Sequence, residues 1–277
     1  MIESLWILIL VGVTCSLVGN LLVQKQEVMV GDAISHTILL GIAVAFFLVQ
    51  DLDSPWLIIG ATVFGVLTVL AIEFVVAKTN VQNDAAIALI LTAFFSLAVI
   101  LISKFFANVH LDIDMVLLGQ VIFAPLNRMT LFGHTLPRAM VENGLSLLAV
   151  LVFITLAYQP LKMRLFDESF AQMRGIRLLT FDLILMTLVS LTAVVSFQNV
   201  GAILVIAMMV APAMTAQLFA KSFVSLLTIG ALVASLNAVL GYYLAVHFNV
   251  SMSGMVAVAS FIVFCLAFLL TRSRVAA

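Results

Sequence analysis

Charge is what this 277-residue chain has least of. Asp, Glu, Lys and Arg make up 9% of it, against about 25% in a soluble globular domain. Hydrophobic residues reach 65% and the mean hydropathy is +1.30, so a polytopic membrane protein is the class that fits. The net charge of −1 leaves no basic surplus for a polyanion, and nucleic acid is not expected as a partner. The two cysteines, Cys15 and Cys265, each lie in an apolar run and read as small buried hydrophobes rather than a redox pair. There is no Gly-x-x-x-x-Gly-Lys-Ser/Thr phosphate loop, so ATP cannot bind in the usual P-loop manner. A nucleophile elbow, a His-Glu-x-x-His helix and a cofactor fingerprint are missing too. The first apolar run has neither a basic leader nor an A-x-A site, and is expected to be a membrane helix rather than a cleaved signal.

What is present is a series of apolar windows, near residues 4–23, 31–50, 56–77, 84–103, 142–159, 179–197, 201–220, 223–247 and 252–271. Most approach the ~20 residues that carry a helix across ~30 Å of hydrocarbon. The expectation is an all-α integral membrane protein, a polytopic bundle of about nine helices (eight to ten fit the windows) forming one domain over 1–277. Segment 115–124 is too short to cross and reads as a helix lying in the interface or packed against the bundle. With the N-terminus outside, Lys25, Lys78, Lys162, Arg164, Arg174, Arg177, Lys221, Arg272 and Arg274 share one side, and Lys104, Arg128 and Arg138 the other. The excess marks the first side, with the C-terminus, as cytoplasmic.

Ionisable residues inside such windows are costly and usually face a partner or a water-filled path. Asp32 and His36 head the second window four residues apart. On a helix that is about 40° of rotation and ~6 Å of rise, so both can reach one ligand. The competing reading makes Asp32 an N-cap and His36 a packing residue. Glu73, near the end of the third window, is expected at a similar depth, or else snorkels to the interface or pairs with Lys78. Asp84 opens the fourth window as an N-cap candidate. The long segment 104–141 carries His110, Asp112 and Asp114 and reads as a solvated external loop rather than a metal-attracting mouth, with Arg128, Pro137, Arg138 and Glu142 following that set. On the inner side, residues 165–177 read as an amphipathic interfacial helix, acidic at its start and closed by Arg174 and Gly175. Pro212 should kink or break the seventh span, while Met208, Met209 and Met214 suit packing better than metal ligation.

Three stretches carry a family resemblance. Gly31-Asp-Ala-Ile-Ser-His-Thr-Ile-Leu-Leu-Gly41 resembles the signature of the manganese/zinc/iron-type ABC importer permeases, the ABC-3 family, with Leu40 where the family has proline. Phe166 to Ile176 resembles the family's cytoplasmic turn, with Glu168 in place of a proline. Val200 to Ala216, centred on Ala211-Pro212-Ala213, is similar to its conserved-order third motif. Asp84-Ala-Ala-Ile also agrees, although Ala88 stands where the family has glycine. The resemblance implies a permease that lacks its own ATPase site and binds no permanent cofactor. Its implied setting is the bacterial plasma membrane, as a homodimer with a pair of ATPase subunits and an extracytoplasmic metal-binding protein. It makes 165–177 the coupling helix, with Asp167, Glu168, Ala171, Arg174 and Gly175 at the ATPase, and Pro212 a gating kink. It makes Asp32 and His36 contacts of a transported Mn, Zn or Fe ion, with Glu73 and Asp84 behind them. A carboxylate with an imidazole suits those divalent ions rather than Cu⁺. A proton-coupled secondary metal transporter, using Asp32, His36 and Glu73 as a relay, is the alternative; an intramembrane metalloenzyme lacks a second histidine at catalytic spacing.

Overall fold

Apolar runs of this length must pair every backbone N–H and C=O internally, and in lipid an uninterrupted helix does so. The computed structural model describes residues 2–50, 54, 56–105, 121, 123–131, 134–166, 168–175 and 178–275. Among them are eleven α-helices: α1 (Ile2–Lys25), α2 (Val28–Val49), α3 (Trp56–Lys78), α4 (Asn83–Phe105), α5 (Arg138–Leu156), α6 (Tyr158–Phe166), α7 (Glu168–Met173), α8 (Leu178–Val200), α9 (Ala202–Phe219), α10 (Phe223–Phe248) and α11 (Met252–Val275). All but α6 and α7 are long and apolar enough to cross a membrane, so nine candidate spans stand among the described residues. The chain is an all-helical membrane protein with one small addition. Between α4 and α5, β1 (Arg128–Leu131) and β2 (His134–Pro137) pair antiparallel, with Arg128 opposite Pro137.

That hairpin corrects the later part of the expected solvated loop. Arg128 and Pro137 belong to strands, and Arg138 to Glu142 form the first turn of α5, where the guanidinium and carboxylate meet at 2.7 Å. Arg128 donates to both carboxylate oxygens of Glu3, at 3.0 and 2.9 Å, tying β1 to the start of α1. His110, Asp112, Asp114 and most of the expected interfacial helix 115–124 lie outside the described residues.

The helices group into two compact units interleaved in sequence. One comprises Met1–Gln26, Asp114–Ile176 and Val195–Ala277; the other comprises Glu27–Ile113 and Arg177–Val194. In the first, α1 is the axis: 78% of its span is buried, against 22% for α11. It packs on α5, α9 and α10. Gly19 allows this approach, since a Cβ there would overlap the backbone carbonyl of Met209 on α9. Met208 and Met209 are buried, as packing residues should be.

In the second unit α2 packs on α3 and α4. Its seam is built from small residues: a Cβ on Gly41 would come within 2.6 Å of the Gly60 carbonyl, and one on Gly60 within 2.6 Å of the Ala45 methyl. Buried hydroxyls bond along their own helices, as Ser35 to the Gly31 carbonyl and Thr68 to the Phe64 carbonyl, both 2.8 Å. One hydroxyl pair crosses, with the Thr37 and Thr68 oxygens 2.7 Å apart, fixing the register of α2 on α3.

Candidate metal-transport site

Helix α2 starts at Val28 with Glu27 at its N-cap position, four residues before Asp32. Asp32 therefore sits in the second turn, beyond the amides a cap serves, and the capping alternative fails on that placement. His36 lies one turn on. Its Nε2 is 3.7 Å from Asp32 Oδ1, and the two side chains are 33% and 34% exposed. That separation is too long for a hydrogen bond. It is close to the bite a divalent ion needs: donors ~2.1 Å from one ion and 3.7 Å apart subtend about 120°, and a few tenths of an ångström of closure gives tetrahedral geometry. The His36 ring also meets Phe95 of α4 edge-on, with centroids 5.8 Å apart, which orients the imidazole from one side.

The Thr37–Thr68 bond locates Glu73. Five residues toward the start of α2 from Thr37 is Asp32, and five toward the end of α3 from Thr68 is Glu73, each ~7.5 Å along its axis. The two carboxylates are thus level, as expected from sequence. They are not on one face, because five residues turn each side chain about 140° away from the Thr37–Thr68 contact. Glu73 is exposed. Asp84 is exposed too, in the first turn of α4 behind Asn83, so it lies inside the helix rather than at the cap position. Among the described residues no three His, Cys, Asp or Glu side chains gather as a metal-holding group. The structure brings Asp32 and His36 together and leaves Glu73 and Asp84 outside that pair.

Asp182 on α8 is a residue that sequence reasoning missed. It is buried to 7% and continues the buried stripe Leu185, Met186, Val189 and Ser190. Ser190 donates to the Thr62 carbonyl of α3. Eight residues back along α8, ~12 Å, Asp182 falls level with Leu70–Glu73. A lone acid followed by apolar residues at i+3, i+4 and i+7 (Leu185, Met186 and Val189) was the available signal.

Of the expected helix 165–177, α6 ends at Phe166 and α7 spans Glu168–Met173, while Asp167, Ile176 and Arg177 lie outside the described residues. Ala171 is buried and anchors α7. Arg174 lays its guanidinium 5.3 Å from the Phe170 ring centroid. Gly175 has φ +79° and donates its N–H to the Gln172 carbonyl at 2.9 Å, the left-handed stop that favours glycine. Helix α9 runs through Pro212, which sits inside it, so the proline does not end the span. The buried flanks Met208, Met209, Ala213 and Ala216 clamp the helix on both sides of the missing amide.

Comparisons with known proteins agree over nearly the whole length. The manganese transport system membrane protein MntD of Bacillus subtilis is 40% identical over 97% of this chain and 92% of its own. The zinc transport system membrane protein TroD of Treponema pallidum is 37% identical over 96% of this chain and 73% of its own. The solved structure of PsaBC from Streptococcus pneumoniae in complex with Fab matches with a TM-score of 0.80 and 28% identity, covering 96% of this chain and 90% of that one. The model of the ABC 3 transport family matches residues 1–271, and the chain belongs to that family.

Proposed function

We propose that this chain is the membrane permease of an ATP-binding-cassette importer for manganese or zinc, with Asp32 and His36 contacting the ion in transit. The observation that carries the site is the pair itself: two ligand-type side chains 3.7 Å apart and partly exposed in an otherwise apolar helix. The ion is cargo. Relatives that carry manganese and zinc in their names support those two metals. Family membership sets the proton-coupled carrier aside.

Two donors are fewer than a divalent transition ion takes. A homodimer would present a second Asp32–His36 pair and complete a four-donor shell, with Glu73 and Asp84 drawing the ion along its route rather than holding it. The chain carries no phosphate loop, so energy comes from a separate pair of ATPase subunits, and an extracytoplasmic binding protein delivers the ion. The N-terminus lies outside and the C-terminus in the cytoplasm, by the basic-residue excess. The two compact units act as one permease domain. Asp167, Glu168, Ala171, Arg174 and Gly175 form the surface that docks on the ATPase, and Pro212 supplies a flexible point in α9. Phe170 and Met173, 39% and 78% exposed beside Arg174, give that surface the apolar knobs a docking groove would take.

The test is uptake of radioactive manganese and zinc into proteoliposomes holding this chain with its ATPase. Uptake should require ATP and the ATPase subunit. Changing Asp167→Lys together with Glu168→Lys should leave the permease inserted while lowering ATPase co-purification and uptake. Unchanged complex formation with unchanged uptake would sink the coupling role.

A further inference from the structure

Within the first unit, α1, α5, α6 and α10 line a cleft of about 640 Å³ that includes none of the candidate transport residues. Its floor is buried and apolar, from Leu17, Ile154 and Leu227, and its rims are the exposed Leu151 and Val224. The polar side chains of the lining are Thr155, Tyr158 and Thr228, all hydroxyls. Thr155 and Thr228 give theirs to carbonyls of their own helices, Leu151 and Ser225, so the walls offer a ligand no free donor from those threonines. A polar ligand would lose its hydration there without compensation.

Length and charge point to what fills it. From Leu147 on α5 to Tyr158 at the start of α6 the lining runs eleven residues, ~16 Å at helical rise. One leaflet of a bilayer has a hydrocarbon depth of ~15 Å. The Tyr158 end carries a ring cluster, Tyr158 and Phe166 both against Phe223 at 5.7 and 6.3 Å, and tyrosine is a residue type enriched at headgroup level. Lys162 follows Tyr158 by one turn on the same face, and Lys221 precedes Val224 by three residues. Both lysines are exposed and neither has an ion pair among the described residues. We propose that this cleft holds one acyl chain of an anionic phospholipid, with its phosphate between Lys162 and Lys221. This requires only that the helices span a bilayer and is independent of which metal is carried.

Native mass spectrometry of the full chain, released from membranes containing phosphatidylglycerol and phosphatidylethanolamine, tests the assignment. The expected result is a retained phosphatidylglycerol on each protomer. Ala231→Trp, which fills the cleft, should abolish retention, while Leu232→Trp, on the neighbouring outward-facing position, should not. Lys162→Gln with Lys221→Gln should lower the retained fraction roughly thirtyfold, from two lost lysine–lipid attractions. Retention equal to the parent in Ala231→Trp, or equal retention of both lipids by the parent, would overturn the proposal. So would an intermolecular disulfide formed in native membranes by Leu151→Cys and absent from the parent, since the occupant would then be a second copy.

Discussion

Two sets of polar side chains stand in helices that are otherwise apolar, and the protein treats them differently. Asp32 and His36 in α2 keep a third of their side-chain surface open and sit 3.7 Å apart. Ser16 and Asn20 in α1 and Asn237 in α10 have no exposure at all. The Asn20 amide donates to the Ser16 carbonyl at 2.8 Å, but Ser16 Oγ, Asn20 Oδ1 and both polar atoms of Asn237 have no partner among the described residues. Hiding a neutral polar atom costs about 1–3 kcal/mol. Hiding a carboxylate costs far more. Asp32 and His36, which can charge, keep that exposure, and the neutral amides are sealed into a seam; Asp182, a buried acid, departs from this contrast. Exposure combined with charge separates the proposed transport pair from the sealed neutral groups of α1 and α10.

The sharpest way to break this contrast is at the open pair. Asp32→Asn keeps the size and removes the charge, and His36→Gln keeps polarity and removes the imidazole. Each should lower metal uptake by at least ~100-fold, since even indirect supports of a metal site are worth 10–100-fold. Membrane abundance and ATPase binding should stay near parental, as neither residue caps a helix. If both variants take up metal at the parental rate, the pair belongs with the structural set.

A smaller effect is expected where helix geometry rather than ligation is altered. Pro212→Ala restores one backbone hydrogen bond to the Met208 carbonyl inside an intact α9. The added bond, about 1 kcal/mol, should stiffen the helix and slow transport roughly fivefold without changing metal preference. Parental uptake would make the proline a tolerated packing feature.

The smallest effect belongs to the sealed set. Asn237→Leu exchanges an amide without partners for an apolar side chain of similar size, which should be neutral or raise thermal stability. Uptake should be unchanged. A loss as deep as that of Asp32→Asn would show that Asn237 meets the ion or its water, and the contrast would collapse.

The sequence by itself determined the nine spans, because apolar length maps directly onto bilayer thickness. It also determined the Asp32–His36 pairing, because four residues on a helix bring side chains together whatever surrounds them. The Gly175 stop was legible for the same local reason. What tertiary structure alone decided depends on register between helices, which no single window encodes. The Thr37–Thr68 bond made Glu73 level with Asp32 yet turned it to another face. Packing of α8 against α3 put Asp182 at that depth. The start of α2 at Val28, not at Asp32, was hidden because Glu27 makes no side-chain cap. The hairpin at Arg128–Pro137 rests on a long-range tie to Glu3. Pro212 remained inside a helix because α9 is held from both sides by buried neighbours, a constraint that exists only once the chain has folded.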